Sequence, residues 1–127
     1  MADSIFTKII KGEMPARKIY EDAKTLAFLT IDPTQPGHVL VIPKKQIDQI
    51  WDLEDEDYMA VMTTAKKVAK RMREVLGVKR IGVRVIGEDV PHAHVHLIPF
   101  NTVKDFYQKS YSASEAELAE MAKKLAF

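Results

Sequence analysis

Between Pro91 and Pro99 the chain reads His92-Ala93-His94-Val95-His96-Leu97-Ile98. Polar and apolar side chains alternate along most of this run with period two, the repeat of a β-strand and not of a helix. As a strand over His92–Ile98, it would project three of the chain's 4 histidines from one side, with neighbours about 6.5–7 Å apart along the chain. Ala93, Val95 and Leu97 would project from the other side, where they can pack against helices. Such a sheet has a core face that does without the imidazoles. A buried core histidine therefore does not account for three of them gathered opposite an apolar face.

The remaining pattern supplies partners for that strand. Ser4 is placed to cap a short helix in which Ile5, Phe6, Ile9 and Ile10 recur at helical spacing, before Gly12 and Pro15 end it. Lys18–Glu21 and Thr25–Ile31 read as a strand hairpin. The turn from Asp32 to Gly37 then leads into a third strand, His38–Ile42, stopped by Pro43. Residues 54–76 carry one apolar stripe (Tyr58, Val61, Met62, Ala65, Val68, Met72, Val75, Leu76), with acids in the first turn and Gly77 as a stop. The lysines and arginines of this helix read as its solvated face. A strand over Arg80–Ile86, the histidine strand, a loop-like segment from Phe100 to Tyr111 and a helix opened by Ser114-x-x-Glu117 complete the chain. The order α-β-β-β-α-β-β-α with hairpin-length connections predicts an α+β fold: one antiparallel sheet of about five strands with helices on one face. One domain over residues 1–127 is expected.

Composition narrows the function classes. Against 19 basic residues stand 18 acidic ones, so nothing electrostatic points to nucleic acid or to a membrane surface. No apolar run is long enough to span a bilayer, and Asp3 and Lys8 interrupt any signal-peptide pattern. The count of 0 cysteines excludes disulfides and thiolate metal sites, and it suits a reducing, cytoplasmic location. Two chemistries remain for the histidines. Three imidazoles could hold zinc with water in the fourth position, but all three would have to converge with no carboxylate or thiolate beside them. Alternatively, one imidazole attacks while the others orient it and hold anionic oxygens.

The run His92-Ala-His94-Val-His96-Leu-Ile-Pro99 resembles the signature of the histidine-triad (HIT) family. Similar blocks occur in the same order from Ser4 to Pro15, at Tyr20-Glu21-Asp22 with Leu26-Ala27-Phe28, and from Pro36 to Lys45. The resemblance implies hydrolysis or transfer at the α-phosphate of a nucleotide through a nucleotidyl-histidine intermediate, without a cofactor. His94 would be the nucleophile, His92 and His96 would flank the phosphate, and His38 would join them from the neighbouring strand. Ile5, Phe6, Ile9, Met14, Phe28 and Leu40 would border the nucleobase. The resemblance also implies a small-molecule nucleotide substrate and a homodimer.

Departures from the family pattern bear on the substrate. The acidic residue that binds the ribose falls on Thr30. The family's Gly-Gln-Ser/Thr-Val reads Gly87-Glu88-Asp89-Val90, which carries Asp89 and Val90 over as nucleotide contacts and sets carboxylates beside a phosphate. The preceding stretch is shortened and has no counterpart of the family's phosphate-contacting asparagine. Relatives with structural zinc hold it by two cysteines, a later histidine and a triad histidine; here Ser4, Thr7 and Gln46 take three of those places, so no metal is expected. Glu88 and Phe100 stand where dinucleoside polyphosphate hydrolases carry Gln and Arg, which favours phosphoramidate-type P–N substrates. Dinucleoside polyphosphate hydrolysis, and a nucleotide-binding regulator with vestigial turnover, are the alternatives.

Overall fold

The computed structural model describes residues 2–127. The five expected strands are present as β1 (Lys18–Glu21), β2 (Thr25–Leu29), β3 (Val39–Pro43), β4 (Arg80–Arg84) and β5 (Val95–Phe100). They form one antiparallel sheet in the order β1-β2-β3-β5-β4. The helices are α1 (Ile5–Ile10), α2 (Asp55–Leu76), α3 (Val103–Phe106) and α4 (Glu115–Leu125), with a short 3-10 turn at Ile50–Asp52. The α+β architecture is the one expected.

The long helix α2 ends as its sequence requires. Gly77 takes the left-handed conformation (φ 66°), and its N–H donates to the Arg73 carbonyl at 3.1 Å. The buried face of α2 (Val61, Ala65, Val68, Met72) packs with Leu118 and Leu125 of α4 onto Ala27, Leu29, Val39, Val41, Val95 and Leu97. This is the main core.

The opposite face of the sheet is also covered in part. Phe6 and Ile9 of α1 pack on Leu26, Phe28, Leu40 and Ile42. Helices therefore lie on both sides of β2 and β3, with α1 as the addition to the expected layer. All five residues of each of these two strands are buried, and strands covered on both faces read as continuous apolar runs.

Some boundaries differ from the sequence reading. The histidine strand begins at Val95, so His92 and His94 lie in irregular chain before it. The pairing of β3 with β5 runs only from Val39↔Leu97 to Val41↔Val95. Pro43 has no N–H with which to extend it, and the Ala93 N–H instead donates to the Ile47 carbonyl at 2.7 Å. The segment after Phe100 holds helix α3, where Thr102 and Asp105 cap each other reciprocally. The Phe106 ring lies so close over Gly82 that a β-carbon there would overlap it. At α4, Ser114 accepts from the Glu117 N–H as expected, but the Glu117 carboxylate turns to the Tyr111 hydroxyl instead of completing a capping box.

Candidate active site

Leu40 pairs with His96 across β3 and β5, and Phe28 pairs with Leu40 across β2 and β3, so these three side chains form a row on the face that carries α1. His38, just before β3, places its ring 5.2 Å from that of His96. The His94 ring lies 5.1 Å from His96 and 5.0 Å from Phe6. Gly87 passes directly over His94, where a β-carbon would come within 2.8 Å of Cε1. A side chain at this position would displace the imidazole.

Backbone anchors assign the ring protons. The His94 Nδ1–H donates to the His92 carbonyl at 2.8 Å, which leaves the Nε2 lone pair unused. The Thr34 N–H donates to His38 Nδ1 at 3.0 Å. His38 must then carry its proton on Nε2 and donate it to His96 Nδ1 at 2.9 Å. His96 in turn carries its proton on Nε2, as a donor. Three imidazoles thereby present one acceptor nitrogen on His94 and, beside it, one donor on His96.

Burial keeps this pair of flanking rings neutral. It pushes His38 down to about 3, helped by the nearby His96 and by the Arg84 charge. Burial, then His94 and Arg84, pushes His96 down to about 4, against a small opposing pull from Asp89.

His92, implied by the resemblance to flank a phosphate, is set apart from His94 and His96 by its hydrogen bonds. Its ring is wholly buried. Nε2–H donates to the Pro43 carbonyl at 2.8 Å, so Nδ1 must accept, and Ser4 Oγ–H supplies the proton at 2.8 Å. Both nitrogens are occupied on the inner side of α1, and burial lowers the pKa of the ring further. What His92 gives His94 is its backbone carbonyl, which accepts from Nδ1–H.

The positions implied for a zinc site do come together, as a hydrogen-bonded cluster. Thr7 Oγ1 donates to Gln46 Oε1 at 2.6 Å, the Ser4 N–H donates to the same oxygen at 2.7 Å, and Ser4 Oγ bonds His92. Hydroxyls and an amide oxygen, with an imidazole whose nitrogens are both engaged, do not make a zinc donor set. Among the described residues no cluster of His, Cys, Asp or Glu suits a metal ion.

The apolar candidates divide. Phe6, Ile9, Phe28 and Leu40 form one buried cluster with Leu26 and Ile42, and Val90 packs against it. Ile5 and Met14 are exposed and take no part in that cluster. Thr30 follows β2 with its hydroxyl accepting from the Asp32 N–H at 3.2 Å. The Asp89 carboxylate does not turn away from the site. It is 84% exposed and stands 4.0 Å from His94 Nε2.

Ile42 was legible in the sequence, since it shares a strand face with His38 and Leu40, and Leu26 shares the parity of Phe28 in the same way. Arg84 was not, because its position beside His96 depends on the β4–β5 register.

A protein-family model described as the HIT domain matches residues 11–103. The chain is 36% identical over 123 residues to the adenosine 5′-monophosphoramidase of Saccharomyces cerevisiae, covering 96% of this chain and 78% of the yeast protein. The fold is similar to that of a Hit-like protein from Bartonella henselae described as involved in cell-cycle regulation (TM-score 0.88, 32% identity, 97% of this chain and 93% of that one). It is also similar to a zinc-bound histidine triad family protein from Mycobacterium smegmatis (TM-score 0.82, 28% identity, 95% and 88% covered).

Proposed function

The chain belongs to the HIT-domain family, and from that premise we propose that it is a nucleotide hydrolase that cleaves the P–N bond of nucleoside 5′-phosphoramidates through His94. The observation that carries this reading is the His94 ring, with Nδ1–H tied to the His92 carbonyl and Nε2 free. A neutral imidazole held in this tautomer is a ready nucleophile. The Nε2–P bond forms as the P–N bond breaks, and the departing amine takes up a proton. Water then attacks phosphorus, the Nε2–P bond breaks, and a mononucleotide and a proton are released with His94 restored. In this reading the Nε2–H of His96, assigned by the bond that Nδ1 accepts from His38, donates to a phosphate oxygen as charge develops. The similarity to a yeast adenosine 5′-monophosphoramidase supports a purine phosphoramidate as substrate, and the apolar cluster of Phe6, Ile9, Phe28 and Leu40 reaches His94 through the Phe6 ring, 5.0 Å away, beside which a base would lie.

Incubation with adenosine 5′-phosphoramidate should release AMP and ammonia at a steady rate, and excess chelator should leave that rate unchanged. Binding of AMP without any turnover would overturn the enzymatic reading in favour of a nucleotide-binding regulator.

We further propose a single HIT domain over residues 1–127, a cytoplasmic location, as suits a chain without cysteine, and a homodimer. Strand β4 is an edge of the sheet with Val83, Val85 and Ile86 exposed along and beyond it, and an unpaired apolar edge favours pairing with a second copy. Sedimentation equilibrium at micromolar concentration should give twice the chain mass of 14.4 kDa. A monomer would exclude the dimer.

A further inference from the structure

Arg84 is opposite His96 in the β4–β5 register, as Leu40 is in the β3–β5 register. The row Leu40, His96, Arg84 therefore crosses one face of the sheet, with the apolar cluster at one end and a guanidinium at the other. That guanidinium lies over the Phe106 ring, 5.9 Å from its centre. Its Nε is buried and meets no hydrogen-bond partner among the described residues. Arg84 also forms no ion pair among them. A guanidinium donor taken from water without an acceptor is costly, and the cation–π contact with the Phe106 ring favours the place it takes. Its charge reaches the imidazole pair, since it helps to lower both His38 and His96.

With the base on the cluster at β2 and β3 and the α-phosphate over His94 and His96, whatever phosphorus carries beyond the nucleoside extends over β4. We propose that Arg84 is a specificity-determining residue that holds an anionic group on this distal part of the substrate, so that the site prefers nucleotides whose leaving group bears a carboxylate or a further phosphate. The proposal rests on the nucleotide-transfer reading above. It also gives the shortened stretch before the triad a cation of its own facing the site.

The test compares adenosine 5′-phosphoramidates of glycine and of glycinamide, which differ by one negative charge on the leaving amine. Wild type should favour the glycine compound by about tenfold in kcat/KM, the scale of one charge-assisted hydrogen bond. Arg84→Gln should bring that ratio close to one, and Arg84→Lys, which keeps the charge without the planar fork, should fall between. A variant that only loosened the fold would slow both compounds alike and leave the ratio unchanged. Calorimetry with ADP and AMP supplies the phosphate arm and needs no turnover: wild type should prefer ADP, and Arg84→Gln should lose that preference. A preference in the glycine pair alone assigns the distal group to a carboxylate, and one in the ADP pair alone to a phosphate. Ratios near one for wild type in both pairs, or preferences unchanged by Arg84→Gln, would overturn the proposal. Failure of wild type to turn over either compound would count against the hydrolase reading instead, and the ADP comparison would still report on Arg84.

Discussion

Replacing His94 by asparagine should lower turnover by at least about a thousandfold while the protein still folds and binds nucleotide. A thousandfold is about 4 kcal/mol of barrier, the scale on which a missing nucleophile is felt. Asparagine is the informative substitution because its side-chain amide can still donate to the His92 carbonyl, the bond that His94 Nδ1–H makes at 2.8 Å. It removes only the nitrogen proposed to attack. The ring belongs to neither apolar cluster, so neither core is emptied by the change. Wild-type enzyme quenched in mid-reaction should hold a mononucleotide on an imidazole nitrogen, stable in base and labile in acid, and peptide mapping should place it on His94. An adduct on His38 or His96, or a His94→Asn variant with nearly wild-type turnover, would defeat the mechanism. His92→Asn makes a useful contrast. Its ring supplies two inner hydrogen bonds, to Ser4 and to the Pro43 carbonyl, so its loss should act through the position of α1 and of the His94 backbone anchor.

The way His92 and His94 differ marks how far the sequence could be read. Strict alternation put all three imidazoles on one strand face, and the strand does carry His96 beside Leu40. The ladder stops at Val95, however, for a reason that lies in another segment. Pro43 would be the next-but-one partner on β3, it has no N–H, and its carbonyl is taken by the His92 ring. Alternation within one strand does not reveal whether the neighbour can continue to pair. The apolar surface was legible where it followed strand parity, as at Phe28 and Leu40. Ile5 and Met14, implied like the others by the family resemblance, are exposed and lie outside the apolar cluster. The unbroken apolar runs of β2 and β3 did contain the sign of a second covering layer, and α1 provides it. Arg84 shows the other limit. A basic residue on an edge strand reads as solvated until the register sets it against His96.

The free energy of unfolding should fall by several kcal/mol between pH 7 and pH 4, with the decline already evident above pH 5. His38 is 2% exposed, and burial pushes it down to about 3 and its partner His96 to about 4. In the unfolded chain both return to the usual histidine value near 6.5. As pH falls below that value, the unfolded state takes up protons that the folded state refuses, so stability is lost with acid and is complete above about pH 6.5. His38 alone contributes on the order of 3 kcal/mol to this loss by pH 4, at about 1.4 kcal/mol per pH unit. The groups around the pair make protonation harder still: Arg84 on β4 opposes it at both rings, and the exposed Asp89 offsets this only in part. Carboxylates with lowered values, such as Asp57 held by Lys45 and Glu21 held by Lys44, act in the same direction. Their unfolded values near 4 confine their share to the acidic end of the range. The interval from pH 6.5 to 5 therefore belongs to the histidines. Urea titrations at closely spaced pH should show the slope there, and His38→Gln should flatten it by removing one titrating ring while a side-chain oxygen remains to accept from Thr34. A stability that stays level from pH 7 to pH 5 would mean that the imidazoles are not held neutral by burial, and the proton assignments of His38 and His96 would fall with it.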